Sequence, residues 1–282
     1  MHTTLVDVPL LAAHLADPNW LIVDCRFDLA NPAAGERAFE TSHIPGAVYA
    51  HLDRDLAAPI TPSTGRHPLP APDTFAATLS RWGVTASTQL IAYDADNGMY
   101  ASRLWWMLRW VGHEAAAVLD GGFKAWVGAG QSTSTASTTR SASTFIARPN
   151  RSMWVDAAEV AQAATNPSWR VLDARAPERY RGSVEPLDRV AGHVPGALNH
   201  PFASSLTSDG RFAGANELRQ RFDASQGGVD NEHTIAMCGS GVTACHLLLA
   251  MAVAGKHDAK LYSGSWSEWI RDPSRPIATG ER

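Results

Sequence analysis

A cysteine stands where an apolar run, Thr234-Ile235-Ala236-Met237, gives way to the loop Cys238-Gly239-Ser240-Gly241-Val242-Thr243 and then to a helical pattern from Ala244. At the carboxyl end of a strand, such a residue is placed to form a thiolate and use it. The two glycines allow tight backbone angles, so successive N–H groups can turn toward the sulfur. A helix starting just beyond adds partial positive charge, which lowers a thiol pKa. Cys238 is therefore the candidate nucleophile, with Gly239, Gly241, Val242 and Thr243 lining the space for the group it takes up. The other two cysteines, Cys25 at a strand end and Cys245 on a helix, read as small core residues.

The bulk properties bound what this thiol can serve. The chain has 282 residues, 45% of them hydrophobic, and a net charge of -4, enough for two domains with separate cores. Lys and Arg are scattered, which disfavours nucleic acid and anionic membranes as partners. No apolar run reaches the length of a membrane span. The N-terminus lacks the basic start and apolar centre of a signal peptide, so a reducing, cytoplasmic setting with free thiols is expected. Three cysteines without a CxxC make no metal array, and neither metal nor cofactor is expected.

The chain repeats itself at a spacing of about 150 residues. Leu21-Ile22-Val23-Asp24-Cys25-Arg26 returns as Arg170-Val171-Leu172-Asp173-Ala174-Arg175, and His43-Ile44-Pro45-Gly46-Ala47 as His193-Val194-Pro195-Gly196-Ala197. The period is far beyond that of a solenoid and indicates a duplicated domain. Short apolar runs (90–93, 116–119, 234–237) alternate with helical patterns (99–110, 242–254) in both halves. This predicts an α/β fold: tandem domains, each a parallel sheet flanked by helices. The domains are expected at 1–135 and 149–282, with the polar, Ser/Thr-rich residues 136–148 as a solvated linker. Opposite Cys238 the first half has Asp94 in a loop one residue longer, so only the second half is expected to be catalytic. His43 and His193, present in both halves, read as structural. The tryptophans read as core.

These residues resemble the two-domain rhodanese family of sulfurtransferases over essentially the whole chain, through the paired His-x-Pro-Gly-Ala segments, the cysteine loop and the terminal Trp269…Asp272-Pro273 stretch. The loop is similar to that of the 3-mercaptopyruvate-using branch. The thiosulfate-preferring branch carries Arg and Lys directly after the cysteine, where this chain has Gly239 and Ser240. The resemblance implies sulfur transfer from 3-mercaptopyruvate through a Cys238 persulfide to a thiol such as thioredoxin, or to cyanide, releasing pyruvate. Thiosulfate is the alternative donor, and persulfide relay between proteins the alternative function. It implies Arg179, in Glu178-Arg179-Tyr180-Arg181-Gly182, as carboxylate anchor. A second family arginine directly follows Glu-Pro; here Leu187 follows Glu185-Pro186 and Arg189 comes two places later. A Ser-His-Asp relay maps onto Ser240, His67 and Asp55, with Asp53 competing for the last place. A phosphatase loop would need arginine at Ala244, which disfavours that chemistry. A monomer is expected.

Overall fold

The computed structural model describes residues 1–281. The chain divides into two compact units. The first comprises Met1–Ala58, Leu69–Asn150 and Ser208–Phe212; the second comprises Pro59–Pro68, Arg151–Thr207 and everything from Ala213 onward. Two short segments therefore depart from chain order. Residues 59–68 join the second unit because the Arg66 N–H donates to Ser267 Oγ at 3.0 Å and Arg271 Nε to the Thr64 carbonyl at 3.2 Å. Residues 208–212 join the first, where the Phe212 N–H donates to Asp120 at 2.9 Å.

The first unit has strands β1 (Leu5–Val6), β2 (Trp20–Asp24), β3 (Val48–Tyr49), β4 (Gln89–Tyr93) and β5 (Ala116–Leu119). Around them lie helices α1 (Val8–Ala13), α2 (Ala34–Thr41), α3 (Leu52–Asp55), α4 (Pro72–Arg81), α5 (Ala101–Trp110) and α6 (Gly122–Gly128). The second unit has β6 (Trp154–Val155), β7 (Arg170–Asp173), β8 (Leu198–Asn199), β9 (Thr234–Met237) and β10 (Lys260–Tyr262). Its helices are α7 (Ala157–Ala164), α8 (Pro177–Tyr180), α9 (Ala215–Gln226), α10 (Val242–Val253) and α11 (Ser265–Trp269). Each unit is a five-stranded parallel sheet, ordered β1-β5-β4-β2-β3 and β6-β10-β9-β7-β8. The central strands β4 and β9 are buried along their whole length, which is why they read as unbroken apolar runs. Helix α10 is apolar nearly all round because it too is buried on most sides. Among the described residues no helix is long and apolar enough to cross a membrane.

The repeated motifs do the same work in both units. Arg26 clasps Asp24 through Nε and Nη2 (2.6–3.1 Å) and donates to the Ser42 carbonyl; Arg175 clasps Asp173 (2.7–3.1 Å) and donates to the Gly192 carbonyl. Each buried pair thus ties the end of a strand to the residue before the repeated histidine. His43 stacks on Phe39 and His193 on Tyr180, and each exchanges backbone hydrogen bonds with a later segment, Ser134 or Ala278. The Pro-Gly that follows makes a tight turn, with φ +81° at Gly46 and +85° at Gly196 and the Ala47 and Ala197 N–H groups closing it. Both histidines are structural, in the positions their duplication suggests.

The Ser/Thr-rich stretch is largely exposed but does not hang free. Arg140 donates to the carbonyls of Pro18 and Trp20, Ser143 to those of Ser80 and Val84, and Arg148 to that of Val111, so it is fastened along the first unit. Trp126, Trp266 and Trp269 are fully buried in the two cores.

One buried histidine makes the second unit pH-sensitive. His200 stacks on Phe222 and its Nδ1 meets Ser225 Oγ at 2.7 Å; burial, with a smaller contribution from Arg221, lowers its pKa from 6.5 to about 4. The folded state favours the neutral ring, so stability is full above pH 6.5 and falls as pH drops toward 4. The full loss is on the order of 3.4 kcal/mol. Urea unfolding across this range should show that slope, and His200→Phe should flatten it.

Candidate active site

Cys238 follows the central strand β9 and is 1% exposed. The Gly241 N–H donates to its Sγ at 3.1 Å, while the Cys238 N–H donates to Ser265 Oγ at 3.0 Å. From the outside, the Trp266 and Ser267 N–H groups donate to the Cys238 and Gly239 carbonyls, so the start of α11 clamps the loop. Gly241 has φ +82°, and a β-carbon there would come within 2.4 Å of the Ser263 carbonyl oxygen. Only glycine fits that place, and its geometry aims the amide at sulfur. Val242 and Thr243 open α10, whose first N–H groups lack helical partners and face the loop end of the helix. Cys245 is buried on α10 and its thiol donates to the Gly241 carbonyl at 3.2 Å.

Two side chains reach this loop from far along the chain. Ser240 Oγ meets His67 Nδ1 at 2.8 Å, and both residues are buried. The contact spans 173 positions and brings two of the expected relay members together within the second unit. Asp55 lies in the first unit, where its carboxylate accepts from the His51 N–H at 2.9 Å and from Arg81 Nη2 at 2.7 Å. These are the contacts of a carboxylate that braces the short helix α3.

Cations stand over the loop although none is in it. A β-carbon at Gly239 would lie 2.8 Å from Arg66 Nη2 and 3.5 Å from both Arg179 Nη atoms. Arg179 thus lies beside the cysteine loop. Arg66 was not singled out from the sequence; the signal was its place beside His67, which fixes the loop that carries both. Arg189 Nη2 donates to the Ile270 carbonyl at 2.6 Å.

The arginines are held by carboxylates in an alternating chain. Arg175, which holds Asp173, reaches Glu185 at 3.5 Å; Glu185 grips Arg179 through Nε and Nη2 (2.7–3.2 Å); Asp188 pairs with both Arg179, at 3.3 Å, and Arg66. Burial pushes the Glu185 carboxyl up, but Arg179 and the Leu187 and Asp188 amides outweigh it and hold it below the usual glutamate range. At Asp188 burial wins over the arginines, and the carboxyl sits above the usual aspartate range.

The corresponding loop in the first unit is built on the same plan and filled from within. Asp94 follows β4, and its carboxylate accepts from the N–H groups of Gly98 (2.9 Å), Tyr100 (2.8 Å) and Ala101 (3.1 Å). Gly98 has φ +79°, matching Gly241, and the Phe123 and Lys124 N–H groups clamp the Asp94 and Ala95 carbonyls as Trp266 and Ser267 do in the second unit. Cys25 nearby is fully buried; desolvation first, then Asp24, Asp94 and Asp55, push its thiol well up, so it stays protonated.

A cradle built twice and given a nucleophile once defines a tandem α/β protein of the cysteine-dependent group-transfer class. The chain belongs to the rhodanese family, whose rhodanese-like domain model matches residues 7–129 and again 156–272. It is 46% identical to a "Probable 3-mercaptopyruvate sulfurtransferase" of Pseudomonas aeruginosa, over 98% of each chain. It is 33% identical to the thiosulfate sulfurtransferase of Bos taurus, over 90% of this chain and 86% of that one. The solved structure of the Escherichia coli 3-mercaptopyruvate sulfotransferase SseA superposes with a TM-score of 0.80 at 34% identity, covering 95% of this chain and all of that one.

Proposed function

We propose that the protein moves sulfur from 3-mercaptopyruvate to a thiol acceptor through a persulfide on Cys238. The observation that carries this reading is the buried Cys238 sulfur, met by the Gly241 N–H, beside a Ser240–His67 pair and beneath Arg66 and Arg179. The guanidiniums hold the donor's carboxylate. The Cys238 thiolate attacks the donor thiol; a sulfur–sulfur bond forms, the carbon–sulfur bond breaks, and its electron pair leaves as the pyruvate enolate. An imidazolium at His67, donating to Ser240 Oγ, lets Ser240 pass its proton to that enolate. The persulfide's own proton returns to the pair, so pyruvate departs and a persulfide anion stays among the loop amides. A reduced thiol, such as that of thioredoxin, then takes the outer sulfur and restores the thiolate. The cycle closes on side chains, donor and acceptor, and predicts ping-pong kinetics. We place this chemistry in the second unit of a cytoplasmic monomer, the first unit carrying Asp94 where the nucleophile would be.

Ser240→Ala separates the donors. Thiosulfate leaves as sulfite, which needs no proton on carbon, whereas mercaptopyruvate leaves as an enolate. With mercaptopyruvate kcat should fall about 100-fold or more, and with thiosulfate only a few-fold. Equal losses for both donors would remove the relay from the mechanism.

A further inference from the structure

We infer that Asp188 is a built-in competitor for the donor's anionic group and sets which donors the site accepts. The inference rests on the sulfurtransferase reading above and concerns the selectivity of that same site. Its basis is the way two carboxylates share two arginines. Glu185 holds Arg179 side-on through Nε and Nη2, and is itself fixed by the Leu187 and Asp188 N–H groups, so it orients the guanidinium from behind. Asp188 does something different. One of its oxygens meets Arg66 Nη1 and the other meets Arg179 Nη2 at 3.3 Å, and these are the two guanidiniums that converge on Gly239, next to the nucleophile.

That bridging arrangement, one carboxylate oxygen on each arginine, is the one a 2-oxo acid's carboxylate would adopt above Cys238. An incoming donor must exchange with Asp188. Of the two acids, Glu185 is gripped by Arg179 through two nitrogens and by two amides that together outweigh burial. Asp188 meets Arg179 at the longer 3.3 Å, and burial outweighs its arginines. The exchangeable ligand is therefore Asp188, and Glu185 remains as the support.

The charges around the loop give the direction of the selectivity. Arg66, Arg175 and Arg179 are matched one for one by Asp173, Glu185 and Asp188, linked in a single alternating chain. In a neutral cluster a monoanion such as mercaptopyruvate exchanges with Asp188 at modest cost. A dianion such as thiosulfate brings a second charge into the same partly desolvated space, with the displaced aspartate still beside it. The loop itself has no cations after the cysteine, so the arginines of this cluster are the positive charge at hand. Asp188 sets how much of it a donor meets.

The test uses the full-length protein with Asp188→Asn, which keeps the shape and removes the charge, and Asp188→Glu, which keeps the charge. For Asp188→Asn, kcat/KM should rise about tenfold with thiosulfate and no more than about threefold with mercaptopyruvate. The change should appear in KM, and Asp188→Glu should stay near the wild-type ratio. In parallel, pyruvate and sulfate are titrated into Cys238→Ser protein with and without Asp188→Asn. Sulfate should tighten about tenfold and pyruvate less. An unchanged sulfate-to-pyruvate preference, or weaker binding of both anions, overturns the inference. The binding arm does not depend on turnover. If wild-type protein takes sulfur from neither donor while sulfate binding tightens as stated, the proposed function fails and the competition of Asp188 with a bound anion stands.

Discussion

Cys238→Ser should lose at least about ten-thousandfold in sulfur transfer, and its intact mass should stay unchanged after incubation with 3-mercaptopyruvate, while the wild-type protein gains one sulfur atom. The substitution is gentle on the fold: a serine oxygen occupies the same buried place and still accepts from the Gly241 N–H. What disappears is a polarisable thiolate able to form a bond to sulfur. The other cysteines supply the controls. Cys25 is locked as a thiol by burial and neighbouring acids, and Cys245 spends its S–H on the Gly241 carbonyl, so Cys25→Ala and Cys245→Ala should both retain the added sulfur. A sulfur adduct persisting in Cys238→Ser would place the nucleophile elsewhere.

Arg175→Met should destabilise the second unit by about 3–5 kcal/mol, the cost of leaving a buried charge without its partner. Asp173 is fully buried; without Arg175 it faces desolvation with no other cation against it among the described residues, and the Gly192 carbonyl loses the Arg175 donor as well. Trp266 lies under the Arg175 guanidinium at 4.8 Å and loses that contact as well, and urea unfolding followed by circular dichroism measures the loss of stability. Replacing both members, Asp173→Asn with Arg175→Met, should recover part of the loss, because the uncompensated charge is then gone. A single variant as stable as wild type would show that the pair does not brace the strand end. Since Arg175 also touches Glu185, the single variant should in addition weaken donor binding through Arg179.

What the sequence displayed about this fold was whatever repeats or runs locally. β9 and α10 are contiguous apolar stretches buried on nearly all sides, so their limits are written in hydrophobicity, and the cysteine loop between them follows. The His-x-Pro-Gly turns are legible because proline and a positive-φ glycine have few other uses in that order. The contacts that complete the site are not local. Arg66 meets Asp188 across 122 positions and His67 meets Ser240 across 173, and no periodicity encodes such distances. Residues 59–68 sit in the first half of the sequence yet fold with the second unit, so a motif assigned to one domain by order ends in the other. Arg189, which the resemblance offered in place of the family arginine after Glu-Pro, donates through Nη2 to the Ile270 carbonyl, 81 positions away, a contact that its sequence neighbourhood does not announce.

Asp94 gives the duplication a thermodynamic meaning. A carboxylate joined to its own cradle by a single methylene acts as a ligand at very high effective concentration, against which no dissolved anion can compete. The three N–H groups that hold it are saturated from the moment that unit folds. In the second unit, among the described residues, the nucleophile's sulfur accepts from the Gly241 amide, which leaves the rest of the helix start to a group that arrives from solution and departs again. The same scaffold thus exists as a permanently occupied receptor and an exchangeable one, and one methylene-linked functional group separates them.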